Sequence, residues 1–385
     1  MVQILEKSLF DPVLVEESKD IREIREVLNE VLYVPDIKIR DNIIYELCSY
    51  IQSKFADPKY KLKVFVSYQG IDVLGFVIVQ LDPNYTSYSR KCGTFGWLYA
   101  QDLETCKKLI KQCELFMKEN RVRKLRGPIN FPKNIGGIGF QARGFEEQML
   151  YGVSSFNKST EILSFLEELG YKKESEYTCV YVAQKSWDKG RKIDDDIIFR
   201  YFSLKELYEH AEEIRNLANN SFFEILPDAS GKNRVYEFFE AFSKIPKDFY
   251  KNASMVNPHN YTDVPQFAEA WETCDLEKIE PYAPMAFSKS TGELVGVLLG
   301  LPDLYESWRG EPITRTNVDT AMVKKGFFGK GIFSALNNLG QLTCNFYGVD
   351  YFEGTAIWSN NSRAIDTIFP HSDPIRKHYI VQKRV

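Results

Sequence analysis

Apolar residues recur along this chain in two rhythms, and the order in which the rhythms alternate occurs twice. In the first half, 13–15 reads as a short strand. Ile21, Ile24, Val27, Leu28 and Val31 then fall at three- and four-residue steps, which predicts a helix that Pro35 stops. Ile39, Ile43, Ile44, Leu47, Ile51 and Phe55 predict a second helix. Alternating runs over 62–68 and 73–81, joined at Gln69-Gly70, form a hairpin signal. A strand over 95–100, a helix over 103–118 and a strand over 122–127 follow. A helix over 160–169 and a strand over 177–183 close the half. A polar stretch, 184–196, with Gly190 and Asp194-Asp195-Asp196, reads as a linker. The second half then gives a strand over 197–201, helices over 204–218 and 235–242, and a hairpin over 281–287 and 294–301 around Ser290-Thr291-Gly292. A strand over 315–323, a helix from Ile332, a strand over 351–358, a helix from Asn361 and a strand over 379–382 complete it. The repeat is one of architecture, a mixed α/β (α+β) class, and divides the chain into domains at 1–190 and 191–385.

Composition narrows this without changing it. The chain has 385 residues, 44% hydrophobic and 26% charged, which is more than one ordinary core holds. A net charge of −4 implies no general affinity for nucleic acid. Seven cysteines without Cys-x-x-Cys spacing and four scattered histidines imply neither a disulfide framework nor a metal site. Reduced cysteines, an amino terminus without a signal pattern and the lack of any eighteen-residue apolar run lead us to expect a cytoplasmic protein that does not span a membrane.

The stretch 315–346 carries the chemistry. A β-branched strand runs into Gly326, Gly329 and Gly331, and Ile332, Phe333, Leu336, Leu339, Leu342 and Phe346 then mark a helix. The first turn of a helix has backbone N–H groups without internal partners, and the helix dipole is positive there. Glycines admit a phosphate to that backbone, and Lys330 stands between two of them. A plain glycine turn between strand and helix is the simpler alternative. The third glycine and distal acid of a dinucleotide fingerprint are missing, as is the Gly-Lys-Ser/Thr of a triphosphate loop.

The run from Val323 to Phe333 resembles the acyl-CoA loop of the GNAT acyltransferases, Val-x-Pro-x-x-Arg/Gln-Gly-x-Gly-x-Gly/Ala. Gly329, Gly331 and Ile332 match; Phe328 stands where Arg or Gln is usual, Phe333 where Gly or Ala is usual, and Lys325 where Pro often sits. Asn361, in Asn361-Ser-Arg-Ala364 after the next strand, resembles the family's Asn-x-x-Ala, and is equally an ordinary helix N-cap. Ile368 stands where the family often has a tyrosine acid. The order of Phe95-Gly96, Arg126-Gly-Pro-Ile-Asn-Phe131, Leu301-Pro-Asp-Leu304, the glycine loop and Trp358-Ser-Asn-Asn resembles that of tandem GNAT-like proteins, predicted N-acyltransferases of unknown substrate. The resemblance implies two tandem domains, each a mostly antiparallel sheet flanked by helices, the first without an acyl-CoA loop and the second with one.

It further implies acetyl-CoA or another acyl-CoA as cosubstrate, no metal, and a small-molecule or peptide amine as acceptor. Val323, Phe328, Gly329, Lys330, Gly331, Ile332, Phe333 and Asn361 would hold the cosubstrate. Asp319 and Glu353, on successive strands, are candidate bases, and each is as readily a strand residue facing solvent or, for Asp319, paired with Arg315. Tyr379 is a candidate acid, with a half-buried strand tyrosine as its plain alternative. Asp102, before the 103–118 helix, reads as an N-cap that repels phosphate. The run Asn134 to Gly139 reads as a surface loop or a phosphate nest. Two other readings stay open: a non-catalytic scaffold of the same fold, favoured by Phe328, Phe333 and Ile368, and a tRNA-dependent aminoacyl transferase.

Overall fold

The computed structural model describes residues 12–83, 85–87, 90–153, 156–182, 192–222, 234–251, 255–274, 282–360 and 372–385. These form two compact units. The first comprises 1–149, 153–177 and 376–385, and the second 150–152 and 178–375. The division expected at 190/191 falls outside the described residues.

In the first unit, β1 (Leu14–Ser18) leads into α1 (Ile21–Val31), whose first turn is capped by the Asp20 carboxylate, and α2 (Arg40–Ala56). β2 (Lys61–Gln69) and β3 (Asp72–Leu81) form the expected hairpin, closed at Gly70. A two-stranded excursion, β4 (Thr86–Ser87) and β5 (Arg90–Lys91), precedes β6 (Gly93–Ala100), α3 (Leu103–Glu119) and β7 (Lys124–Gly127). A short α4 (Lys133–Gly136), β8 (Phe140–Arg143), α5 (Glu161–Glu168) and β9 (Lys172–Val182) follow, β9 passing into the second unit after Tyr177. The C-terminal β15 (Ser372–Arg384) pairs antiparallel with β7 and β8, so the strand order is β1-β2-β3-β6-β7-β15. Alternation along β2 and β3 sends Phe65, Val77 and Val79 into a core closed by the Cys106, Leu109, Cys113 and Met117 face of α3.

The second unit repeats the plan. Among the described residues β10 (Ile197–Ser203) is followed by four α-helices: α6 (Leu204–Glu209), α7 (Ala211–Phe222), α8 (Arg234–Ser243) and α9 (Pro265–Trp271). Then come β11 (Tyr282–Ser288), β12 (Leu294–Pro302), α10 (Leu304–Trp308), β13 (Arg315–Val323), α11 (Ile332–Phe346) and β14 (Tyr351–Trp358), in sheet order β14-β13-β12-β11-β10. The helix expected over 204–218 is two. Ser203 and Glu206 form a capping box that opens α6, and the chain breaks at His210 before α7 begins.

Among the described pairs, each unit has a parallel one beside antiparallel neighbours: β6 with β7, next to β3 and β15, and β13 with β14, next to β12. A parallel pair needs a crossover, and α3 and α11 supply it. The glycine run 134–139 is neither a surface loop nor a nest. Ile135, Gly136, Gly137 and Gly139 are buried, and the amides of Gly136, Gly137 and Gly139 are spent on the carbonyls of Pro132, Lys133 and Pro128. A Cβ on Gly136 would lie 2.2 Å from the Asn130 carbonyl, so glycine serves close backbone packing there.

Candidate active site

The glycine loop joins β13 to α11 as the pattern predicts. Gly326, Gly329 and Gly331 all have positive φ, 95°, 81° and 79°, a conformation that a side chain resists. Gly331 is the N-cap of α11 and brings no side chain to cap it. Helix geometry leaves the first-turn amides without intrahelical acceptors, and the Ala335 N–H takes the first intrahelical bond, to the Gly331 carbonyl. α11 is buried along nearly its whole length, so this N-terminus is held rigidly. Phe328 is 63% exposed at the loop's crest; Phe333 is half-buried.

A segment taken for linker grips this loop. The Asp194 N–H donates to the Lys330 carbonyl at 3.2 Å, and the Asp194 carboxylate lies 3.1 Å from Lys330 Nζ. The Asp196 backbone N–H and then Lys330 hold the Asp194 carboxyl below its usual range. Lys330 also lies over the Phe327 ring, 5.1 Å from its centroid. A Cβ on Gly331 would lie 2.8 Å from the Lys192 carbonyl. Asp196 accepts from Ser288 Oγ and the Ser290 N–H, both at 2.8 Å, and so ties the β11–β12 turn. The sequence signal for these roles was present: Asp194 accepts from the Asp196 N–H two residues on, the habit of an Asx turn before a strand.

The second element of the site is a parting of strands. β13 and β14 pair through four positions, from Arg315↔Tyr351 to Val318↔Gly354. Beyond these, Thr355 Oγ1 donates to the Val318 carbonyl at 3.3 Å. β13 runs on with β12 alone, and four successive residues, Val318 to Ala321, are half-exposed although the strand is not at the sheet's edge. Alternation would bury every second one, so consecutive exposure marks an open side. That opening leads along the strand to the glycine loop.

The expected site residues divide between the two units. Asp319 lies in the open run, where its carboxylate accepts from Thr320 Oγ1 at 2.7 Å. Glu353 is fully buried and accepts from Tyr351 OH at 3.0 Å. Arg315 faces Asp303 at 3.5 Å and the Tyr351 ring at 4.4 Å. Asp303 caps α10 and also accepts from the Tyr151 N–H at 3.0 Å, a structural use for the Leu301-Pro-Asp-Leu304 motif. Tyr379 belongs to the first unit, opposite Phe140; burial and a bond to Glu176 push its phenol upward. Asn361 and Ile368 lie outside the described residues. Among the described residues no group of three or more His, Cys, Asp or Glu is placed to hold a metal ion, and no helix is long and apolar enough to cross a membrane.

The equivalent place in the first unit is built differently. Asp102 is the N-cap of α3 and accepts from the Thr105 N–H at 2.8 Å, which places a carboxylate where the other unit presents only backbone. The β6–β7 ladder has two positions, Gly93↔Leu125 and Thr94↔Arg126, and the chain after β7 then turns in against β6. The Ile129 N–H donates to the Phe95 carbonyl at 2.8 Å, and Asn130 Oδ1 accepts from the Trp97 N–H at 2.6 Å. A Cβ on Gly96 would lie 2.2 Å from the Ile129 carbonyl, so no gap remains at that point.

Two units with this order of strands, each with one parallel pair bridged by a helix, have counterparts among solved structures. A tandem GNAT protein from the clavulanic acid biosynthesis pathway superposes with a TM-score of 0.54 over 97% of this chain and 98% of its own, at 10% identity. This is the tandem GNAT fold. A probable N-acyltransferase of unknown function from Enterococcus faecalis V583 gives 0.53 over 98% of this chain and 73% of its own, at 9% identity. A GCN5-related N-acetyltransferase from Sphaerobacter thermophilus gives 0.50 over 97% and 95%, at 11% identity. No family model matches the sequence, and no curated protein does. The likeness is therefore one of fold, and the GNAT plan survives here on few shared residues.

Proposed function

We propose that this tandem GNAT-fold protein is an acyl-CoA-dependent N-acyltransferase, and that its second unit holds the acyl-CoA. The observation that carries the reading is the half-exposed run Val318–Ala321, where β13 has parted from β14 and leads into the positive-φ glycine loop. In such a site the backbone amides from Gly329 to Phe333 take the pyrophosphate, since they are fixed donors at a helix N-terminus. Lys330, engaged by Asp194, adds little. In this reading the backbone of β13 beyond its ladder with β14 lies beside the thioester and can polarise its carbonyl. Asp319 is the better-placed base of the two expected, because Glu353 is buried against Tyr351. The ammonium form of the acceptor loses one proton to Asp319, and the free amine attacks the thioester carbonyl. As the tetrahedral intermediate collapses, the nitrogen's next proton passes to the departing sulfur, directly or through water, which leaves an amide and CoA thiol.

The acceptor follows from this as a small-molecule or peptide amine. The test is thiol release from acetyl-CoA and longer acyl-CoAs against a panel of polyamines, amino acids, amino sugars and peptides. Asp319→Asn is expected to lower kcat by roughly a hundredfold or more while acetyl-CoA binds as before. Unchanged kcat in that variant rules out Asp319 as the base. Binding of acyl-CoA with no turnover on any amine favours the non-catalytic reading, for which Phe328 and Phe333 in the loop speak.

A further inference from the structure

The loop before α11 turns on glycines with positive φ, and glycine is also free to leave that conformation. Donors bind an anion well when they are already aimed; a loop that must first settle forfeits part of the affinity. Packing does not hold the crest, since a Cβ on Gly326 or Gly329 would meet nothing beyond its chain neighbours within 4 Å. The near end of the loop is tied to the sheet by the Lys324 N–H, which donates to the Val295 carbonyl at 2.8 Å. The far end enters α11 where the Ala335 N–H donates to the Gly331 carbonyl at 3.1 Å. Between these ends the Lys330 carbonyl accepts from the Asp194 N–H.

Asp194 makes that bond from a segment that is itself locked. Its Oδ1 accepts from the Asp196 N–H at 3.0 Å and its carbonyl from the Ile197 N–H at 3.0 Å, so the chain is folded into a turn as β10 begins. Asp196 fastens this turn to the sheet. Its Oδ2 accepts from Ser288 Oγ, its Oδ1 from the Ser290 N–H, and its carbonyl from the Lys289 N–H at 2.7 Å. The Ile193 Cα stands 3.2 Å from where a Cβ on Gly331 would lie. A line of hydrogen bonds thus runs from the β11–β12 turn through Asp196 and Asp194 to the residue between the two glycines, all within the second unit. The charge of Asp194 works the other way. Its carboxylate lies beside Lys330, and an acid next to a pyrophosphate site repels the ligand. Turn and charge therefore act on anion binding with opposite signs.

We propose that Asp194 is a positioning residue of the acyl-CoA loop: its turn with Asp196 sets the hydrogen bond that holds Lys330, and with it the amides from Gly329 to Phe333, ready for a pyrophosphate. The inference rests on the reading that this loop binds acyl-CoA. Asparagine at position 194 keeps an acceptor oxygen for the Asp196 N–H and drops the charge; alanine drops both.

The test has two arms, each run on the full chain as parent, Asp194→Ala and Asp194→Asn, with the fold of each checked by its melting transition. Hydrogen exchange without ligand follows the Phe327 and Ala335 amides, which donate to the Lys324 and Gly331 carbonyls at the two ends of the loop. Both are far in sequence from residue 194, so their exchange reports the loop and not the altered side chain. It is expected to be several-fold faster in Asp194→Ala and near the parent rate in Asp194→Asn. Calorimetric titration with acetyl-CoA is expected to show affinity about fivefold lower in Asp194→Ala, the equivalent of one hydrogen bond, and at or above the parent's in Asp194→Asn. Unchanged exchange in Asp194→Ala overturns the proposal, because the loop then holds without the turn. Acetyl-CoA affinity in Asp194→Ala equal to or above the parent's overturns it too, because the charge then outweighs any brace. Equal weakening in Asp194→Ala and Asp194→Asn does the same, because the acid then acts by its charge alone. A parent that binds no acetyl-CoA overturns the acyl-CoA reading and this inference with it, whereas a parent that binds while the exchange stays unmoved overturns this inference alone.

Discussion

Gly331 and Lys330 are neighbours with opposite importance. Gly331 has φ of 79° and stands where a Cβ would come within 2.8 Å of the Lys192 carbonyl. Lys330 is half-buried, paired with Asp194 and stacked over Phe327. Gly331→Val therefore costs about 2 kcal/mol or more in stability and abolishes acetyl-CoA binding, through backbone strain and a branched Cβ at the phosphate's approach. Lys330→Ala changes affinity by about 1 kcal/mol or less. Thermal melts and calorimetry on the two variants check the order. A second residue speaks through pH. His378 is fully buried in the first unit; burial, and then the charge of Arg376, push its imidazole down to about 3. Above its ordinary value near 6.5 both folded and unfolded chains hold it neutral. Below that the unfolded chain takes up a proton that the folded chain refuses, so stability falls from about pH 6.5 toward pH 3, by at most about 1.4 kcal/mol per pH unit. Denaturant melts from pH 7 to 4 are expected to show a shallower acid decline in His378→Asn than in the parent.

At the scale of elements, the two helix starts that follow the parallel strands make a controlled contrast. α11 begins on bare backbone at Gly331, and α3 begins under the Asp102 carboxylate. Asp102→Ala is expected to cost about 1 kcal/mol of stability and to leave acetyl-CoA binding untouched, measured by urea denaturation and calorimetry. A loss of acetyl-CoA affinity in that variant places cosubstrate in the first unit instead. Most of this was legible beforehand. β13, β14 and α11 occupy the expected positions because their periodicities are long and their ends are marked by glycine. α9 and α10 gave no such signal. They are five to seven residues long, and α9 is held by aromatic packing, Trp271 against Tyr201 at 5.1 Å, rather than by its own pattern. The glycine run 134–139 was misread because loose and tightly packed glycines look the same until the Asn130 backbone is seen beside them.

At the scale of the molecule, the twofold plan was readable from the order of elements, and the membership of its strands was not. β15 ends the chain and yet belongs for residues 376–385 to the first unit, through a ladder with β7 whose partners are about 250 residues apart in sequence. That separated Tyr379, which the linear reading grouped with Asp319 and Glu353, from the unit that carries them. The parting of β13 from β14 was likewise invisible in sequence, since it depends on where a ladder stops. It is also what the account rests on: among the described residues, an open cleft with a glycine loop beside β13, while the parallel pair of β6 and β7 is closed by Ile129 and Asn130. Calorimetric titration of the full chain with acetyl-CoA tests this most directly. The account predicts one molecule bound per chain, with binding lost in Gly331→Val and kept in Asp102→Ala. No detectable heat at millimolar acetyl-CoA, in protein shown by its melting transition to be folded, contradicts it.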